Sequence, residues 1–347
     1  MTYDEIFTFE NLLNAHLKAR RGRRNKKDVI TFELNLSAEL WSLVNRLSNR
    51  TYEVSGYHKF NIYEPKEREI QALEYKDRVV QHALCDLYLY PLLTAHFIYD
   101  NCACQKGKGT DFALDRLSLF FRKFYRLNGK NGYILKVDVK KYFPSIDHDV
   151  LKEKLSRIIK EPDILILVNK IIDSYNFDSG KGIPMGNQTS QLFALYYLDS
   201  IDRFIKEKLR IKYYVRYMDD MILIHEDKEY LRQCLEMITV MACDDLRLQF
   251  NEKTQLFPIK NGVDFLGFHF YMTDTGKVIR KLRQSSKKRF KKRMKSLANQ
   301  YAHNEIDLDD IKRTLPGYNG HLKRGNTYLL RRAVFKDFVL KREEDNF

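Results

Sequence analysis

Residues 213–227 read YYVRYMDDMILIHED, and they decide how the rest of the chain is understood. Runs rich in Tyr, Val and Ile flank two adjacent acids, Asp219 and Asp220. The flanks have strand composition, and the polar centre predicts a tight hairpin with Met218 and Asp219 near its turn. Adjacent carboxylates repel, so the pair needs either solvent or a cation. Aspartate on a hairpin turn is common, and the pair alone does not choose between them.

A second acidic strand shifts the balance. YILKVDV at 133–139 is a short apolar strand carrying Asp138, where an unpaired charge is expensive to desolvate. A salt bridge to Lys136 or Lys140 is one remedy, although both side chains are long enough to reach solvent instead. The other remedy is a metal: two neighbouring strands that each offer a carboxylate can hold a pair of Mg²⁺ ions about 4 Å apart for phosphoryl transfer, and Mg²⁺ prefers hard oxygen ligands.

Outward from these strands, 57–75 (YHKFNIYEPKEREIQALEY) alternates as a strand pair rimmed by basic residues. A long amphipathic helix follows at 77–93, with Asp77 near its positive end. Helical periodicity recurs in 148–159, 162–175, 190–209 and 229–246, with a Gly-bearing turn at 181–191. LRLQFNEKTQLFPI and VDFLGFHFYM return to strand. In the first sixty residues, a basic cluster KARRGRRNKK precedes a helix that Ser37 is placed to cap. This order predicts an α+β sheet with helices on one face.

Composition sets the outer limits. The chain has 347 residues, 44% hydrophobic, which implies two or three subdomains. Lys and Arg number 61 against 46 Asp and Glu, a net charge of +15, so a polyanion, nucleic acid above all, is the expected partner. The five cysteines (Cys85, Cys102, Cys104, Cys234, Cys243) form an odd set with no C-x-x-C pair, which suggests neither a disulfide framework nor a zinc site and fits a reducing cytoplasm. No signal-peptide layout opens the sequence, and the most apolar stretch, 84–100, is too short to span a bilayer. His148 and His225 flank the acidic motifs but lack a second nitrogen ligand at useful spacing, so they read as structural.

KVDVKKYFPSIDH, GIPMGNQTSQ, RYMDD, LQFNEKT and VDFLGF, in that order, resemble the palm motifs of reverse transcriptases, and EPKEREI with DRVVQHAL resembles their fingers. The likeness covers roughly residues 50–270. It implies a right-hand polymerase: a basic helical extension at 1–56, fingers at 57–132, palm at 133–276 and a short basic helical thumb at 277–347. It implies Asp138 and Asp219 as principal ligands of two Mg²⁺ ions, with Asp220 in support and Mn²⁺ a possible substitute. Phe143 would be the steric gate against a ribose 2′-hydroxyl, Arg68 and Lys66 would hold the triphosphate, and Met185 and Gly186 would border the incoming nucleotide. Lys253 would be the general acid for pyrophosphate, and Phe265, Leu266 and Gly267 the primer grip. By spacing alone, Phe143 and Phe265–Gly267 are equally ordinary core, and Lys66, Arg68 and Lys253 ordinary surface charges.

Within that family, Met185 before Gly186, the ending Ser190-Gln191, CACQKGKGTDFAL and GYNGHLKRGNTYLLRR resemble reverse transcriptases of diversity-generating retroelements. Those enzymes copy a template-repeat RNA into cDNA with errors at adenines, usually with a small basic accessory protein. The acid-free stretch with Arg280, Lys281, Lys287, Lys288, Arg289, Lys291 and Lys292 would grip the duplex through phosphates. No residues remain for an RNase H or integrase domain. A retron or antiphage defence enzyme is the alternative of the same chemistry, and a catalytically silent RNA-binding protein the alternative of another class.

Overall fold

The computed structural model describes residues 1–63, 67–175 and 180–342. Its strands are β1 (Tyr57–Ile62), β2 (Arg68–Leu73), β3 (Tyr133–Asp138), β4 (Tyr213–Tyr217), β5 (Asp220–His225), β6 (Gln255–Pro258), β7 (Val263–Phe265), β8 (Phe268–Met272) and β9 (Val278–Leu282). β1 and β2 form a separate antiparallel ribbon. The central sheet has the order β4-β5-β3-β6 with antiparallel pairs throughout, and β7-β8-β9 form a third sheet.

Strand periodicity sorts the central sheet into two faces. Leu135 and Val137 point one way, joining Tyr214, Met221 and Leu223 in the larger core with the N-terminal helices and those of 148–209. Ile134, Tyr213, Val215, Ile222 and Ile224 point the other way, sharing a second core with the helix Thr110–Asn128 and with Phe265, Phe268 and Phe270. Helices cover the first face as the sequence order predicts, and the second face is buried as well. Lys136, Asp138 and Asp220 continue that second face, so its apolar ladder becomes charged towards the β4–β5 turn.

Several local readings change. The helix expected to start behind Ser37 spans Leu36–Ser48, one residue after the helix Lys27–Leu34 ends; Asn35 occupies the cap position and Ser37 lies inside the first turn. Asp77 stands in the first turn of its helix as expected, and it is fully buried there, accepting hydrogen bonds from Tyr52 Oη (2.7 Å) and Ser55 N (2.9 Å). The helix Tyr75–Leu84 continues through a π turn at Cys85–Leu89 into Tyr90–Thr94, which seats Pro91 without a break. Of the run 246–259, only Gln255–Pro258 joins the ladder as a strand.

The basic region past residue 277 starts with β9 rather than a helix, so Arg280 and Lys281 stand on a strand. Phe268 pairs with Leu282, which draws this segment into the third sheet. The helix Gln284–Ala302 then buries Phe290, Met294 and Leu297 at helical spacing and turns its lysines and arginines outwards; Leu308–Lys323 and Tyr328–Lys336 complete the region. No described helix is long and apolar enough to cross a membrane.

Candidate active site

Asp138 ends β3 and Asp220 begins β5, and the two are direct partners across the antiparallel ladder. Facing residues of such a pair put their Cβ atoms about 5 Å apart on the same face. Tyr217 pairs with Asp220, so Met218 and Asp219 form a two-residue turn. Met218 takes φ +54°, the left-handed region, where a bulky side chain is strained by roughly 1 to 3 kcal/mol. The hairpin expected around YMDD is thus present, with three carboxylates at one end of the sheet.

Neighbouring side chains hold these acids. Lys136, two residues before Asp138 on the same face, stands 3.3 Å from Asp220 Oδ1 and donates to the Asp264 carbonyl at 2.7 Å. Its ion pair is with Asp220, not with Asp138, and Lys140 is exposed. Asp138 is instead clasped by the turn NEKT: Asn251 Nδ2 donates to its carboxylate, Asn251 N donates to its carbonyl (2.9 Å), and Asp138 N donates to Thr254 Oγ1 (3.3 Å). Lys253 N donates to Asn251 Oδ1 at 2.7 Å while its side chain is exposed. The motif's Asn and Thr, rather than its Lys, touch the acid here, a role that short polar side chains in tight turns commonly take.

Among the described residues, no group of three or more His, Cys, Asp or Glu side chains stands close enough to hold a metal ion. Asp138 is turned towards Asn251, and Asp220 towards Lys136. The chemistry nevertheless suits a hard cation. All the donors are carboxylate oxygens, the ladder register puts two of them on one face, and Asp220 Oδ1 is buried without a hydrogen bond. Burial pushes Asp220 up to about 6; Lys136 opposes the rise, and the negative charges of Asp138 and Asp219 add to it. A divalent cation would relieve that repulsion.

Phe143 is half-buried in the single turn Tyr142–Ser145, edge-on to Tyr142, and its carbonyl accepts from Ile183 N at 3.1 Å. That bond, with Gly182 N to Ile146 O (2.7 Å), stitches the Phe143 segment to the loop carrying Met185 and Gly186. Met185 is half-buried; Gly186 takes φ +103°, which a side chain would resist, and leads into the helix Gln188–Tyr197. Beside Gly186 lies a cavity of about 260 Å³ that includes Gln81, His82, Asn187 and Gln188 in its lining. Gln81 Nε2, His82 Nδ1, both Asn187 amide atoms and Gln188 Oε1 are buried there without hydrogen bonds. Lys66 lies outside the described residues, as does the side chain of Arg68, whose backbone opens β2.

Phe265, Leu266 and Gly267 form the end of β7 and the turn into β8, so the expected single strand is a hairpin. Phe265 is core, and Gly267 approaches the His321 ring. Arg280 binds Asp115 at 2.8 Å; Lys281, Lys288, Arg289, Lys291 and Lys292 are exposed, and Lys287 is half-buried. His148 is buried and hydrogen-bonded to Gly182 O (2.6 Å), and His225 accepts from Asp227 N (3.0 Å), both in structural roles.

A family described as reverse transcriptase (RNA-dependent DNA polymerase) matches residues 58–270. Protein YkfC of Escherichia coli (strain K12) is 21% identical over 278 residues, 68% of this chain and 72% of that protein. Telomerase from Candida albicans, in complex with a TWJ fragment of telomeric RNA, superposes with a TM-score of 0.51 at 13% identity, over 74% of this chain and 52% of that one. Telomerase from Candida tropicalis in complex with such a fragment gives 0.50 at 16% identity, over 84% of this chain and 60% of that one. At these identities the structural likeness concerns the fold alone, and the chain spans between half and three fifths of those telomerases.

Proposed function

This chain belongs to the reverse transcriptase (RNA-dependent DNA polymerase) family, and we propose that it copies RNA into DNA at the end of the β3–β5 ladder. The observation that carries this reading is the cross-strand pairing of Asp138 with Asp220, with Asp219 in the adjoining turn. Asp138 and Asp219, with Asp220 in support, would hold two Mg²⁺ ions, or Mn²⁺ in their place. Bound there, the ions would lower the pKa of the attacking 3′-hydroxyl and shield the leaving pyrophosphate.

The chain's own groups do the rest. Asn251 and Thr254 fix Asp138, and Lys136 neutralises Asp220. Phe143 excludes a 2′-hydroxyl from the incoming sugar, Arg68 and Lys66 take the triphosphate, and Lys253 gives a proton to pyrophosphate. Phe265–Gly267 support the primer end. The exposed lysines and arginines of 281–292, with Arg280, hold the duplex by its phosphates, so replacing Lys287, Lys288 and Arg289 together by Ala should shorten products as salt rises.

The finer reading is a diversity-generating retroelement enzyme, working in the cytoplasm with a small basic accessory protein and making errors at template adenines. Met185 supports it: an apolar side chain beside the nucleotide offers no amide hydrogen bond with which to penalise a mispair. Primer extension on RNA with dNTPs and Mg²⁺, with sequencing of the products, tests both levels. Loss of cDNA in Asp219→Ala supports the polymerase, and extension by that variant refutes it. Errors concentrated at adenines, and reduced in Met185→Gln, support the retroelement type; even errors favour the retron or defence alternative. A wild-type protein that binds RNA yet extends no primer would be the silent binder.

A further inference from the structure

Directly beneath the YMDD turn lies a charged pair with no contact with solvent. Arg216 and Asp202 are both 0% exposed. Arg216 Nε donates to Asp202 Oδ1 at 2.7 Å, a second guanidinium nitrogen reaches Oδ2, and Tyr214 Oη donates to Oδ1 at 2.6 Å. Two further donors point at backbone: Nη1 to Met218 O at 2.9 Å and Nη2 to Leu195 O at 3.1 Å. The Arg216 backbone is fixed too, since its N–H donates to Asp100 O (3.0 Å) and its carbonyl accepts from Cys102 N (2.9 Å).

A buried ion pair is an unprofitable way to stabilise a core, because well-packed apolar residues of similar volume usually do as well. What apolar residues cannot supply is a rigid donor aimed at a chosen carbonyl. Here that carbonyl belongs to Met218, the residue in the left-handed conformation, one position before Asp219. A two-residue turn without glycine has no local reason to hold this shape. We propose that the buried Arg216–Asp202 pair is a positioning device for catalysis: by holding the Met218 carbonyl, it locks the strained turn and so fixes where Asp219 and Asp220 present their carboxylates. Asp202 and Tyr214 aim the guanidinium, and the helix Gln188–Tyr197, through Leu195 O, ties it to the loop with Met185 and Gly186.

The inference rests on the polymerase reading, and the test keeps the two apart, because wild-type extension is measured first and stands alone. The triple variant Arg216→Met, Asp202→Leu, Tyr214→Phe replaces the network with apolar side chains and leaves no buried charge unpaired. It should melt close to wild type yet lose about tenfold to a hundredfold in kcat, the size of one hydrogen bond from a charged donor, with dNTP KM changed less than about threefold. Adding Met218→Gly, which accepts φ +54° freely, should recover at least about threefold of that kcat, with no comparable gain in the wild-type background. A triple variant with kcat within about threefold of wild type overturns the proposal, as does a loss that Met218→Gly leaves untouched. If the triple variant does not fold, Arg216→Lys serves instead: an ammonium can pair with Asp202 without reproducing the fork to Met218, so unchanged kcat in that variant also overturns it.

Discussion

Two hairpins of this protein have the same loop length and opposite means of support. Tyr217 pairs with Asp220 around Met218-Asp219, and Phe265 pairs with Phe268 around Leu266-Gly267. In each, an aliphatic first loop residue is left-handed, Met218 at φ +54° and Leu266 at φ +46°. The second hairpin follows with Gly267 at φ +88°, giving two successive positive φ values, the form that suits a two-residue connection. Its flanking Phe265 and Phe268 are buried, so turn chemistry and local packing agree. The first hairpin has an acid where the second has glycine, and its turn is held from below by Arg216. A turn whose own glycine and flanking core set its shape can be encoded locally; one that must present carboxylates needs support from elsewhere in the fold.

The sharpest way to break this comparison is at the carboxylates. Asp138→Asn keeps size and can still meet Asn251, yet primer extension should fall by about a thousandfold or more, as when a residue acting within a catalytic unit is removed. A single-turnover assay with saturating Mg²⁺ checks it, and no change in the hairpin Phe265–Phe268 should do as much. Next, Asn251→Ala frees the Asp138 carboxylate, and kcat should drop about tenfold to a hundredfold, the usual effect of losing a group that orients a ligand. Titration of activity with Mg²⁺ should show a raised requirement, and an unchanged titration curve would separate Asn251 from the site.

Smaller effects are expected at the other hairpin. Gly267→Ala puts a Cβ at φ +88° and 3.4 Å from the His321 ring, so it should cost about 1 to 2 kcal/mol in a denaturant melt. Leu266→Asn, a residue that tolerates the left-handed region, should be neutral or stabilising by up to about 1 kcal/mol. A large kcat loss in Leu266→Asn, with stability kept, would show that the shape of this turn, beyond its support of the primer, governs the reaction as the YMDD turn does, and would erase the distinction between the two hairpins.

Much of the fold could be read in advance where residue pattern and neighbours agree. β3, β4 and β5 follow from β-branched and aromatic runs around YMDD, and the helices Pro162–Asp173 and Lys228–Asp244 follow from their apolar periodicity. The readings that changed are those where distant packing outweighs the local signal. VIRKL lies in a basic run that reads as helix, but pairing with β8 makes it a strand. Within the site, Asp138, Asp219 and Asp220 stood out because acids in apolar runs are costly. Asn251 did not, because a polar residue in a turn has many ordinary uses, and Lys136 read as a partner for Asp138 because spacing along one strand does not show which acid of the next strand it meets.

The sequence by itself determined which acids are candidates for the chemistry and on which strands they sit, since strand periodicity and the cost of burying charge both act over a few residues. It also marked the basic segments suited to a polyanion. The tertiary structure decided which groups those acids meet: Asp138 with Asn251, more than a hundred residues away, Asp220 with Lys136, and the Met218 carbonyl with an arginine aimed by Asp202. Each of these depends on the direction of a hydrogen bond across packed elements, and direction is set only when the chain has folded.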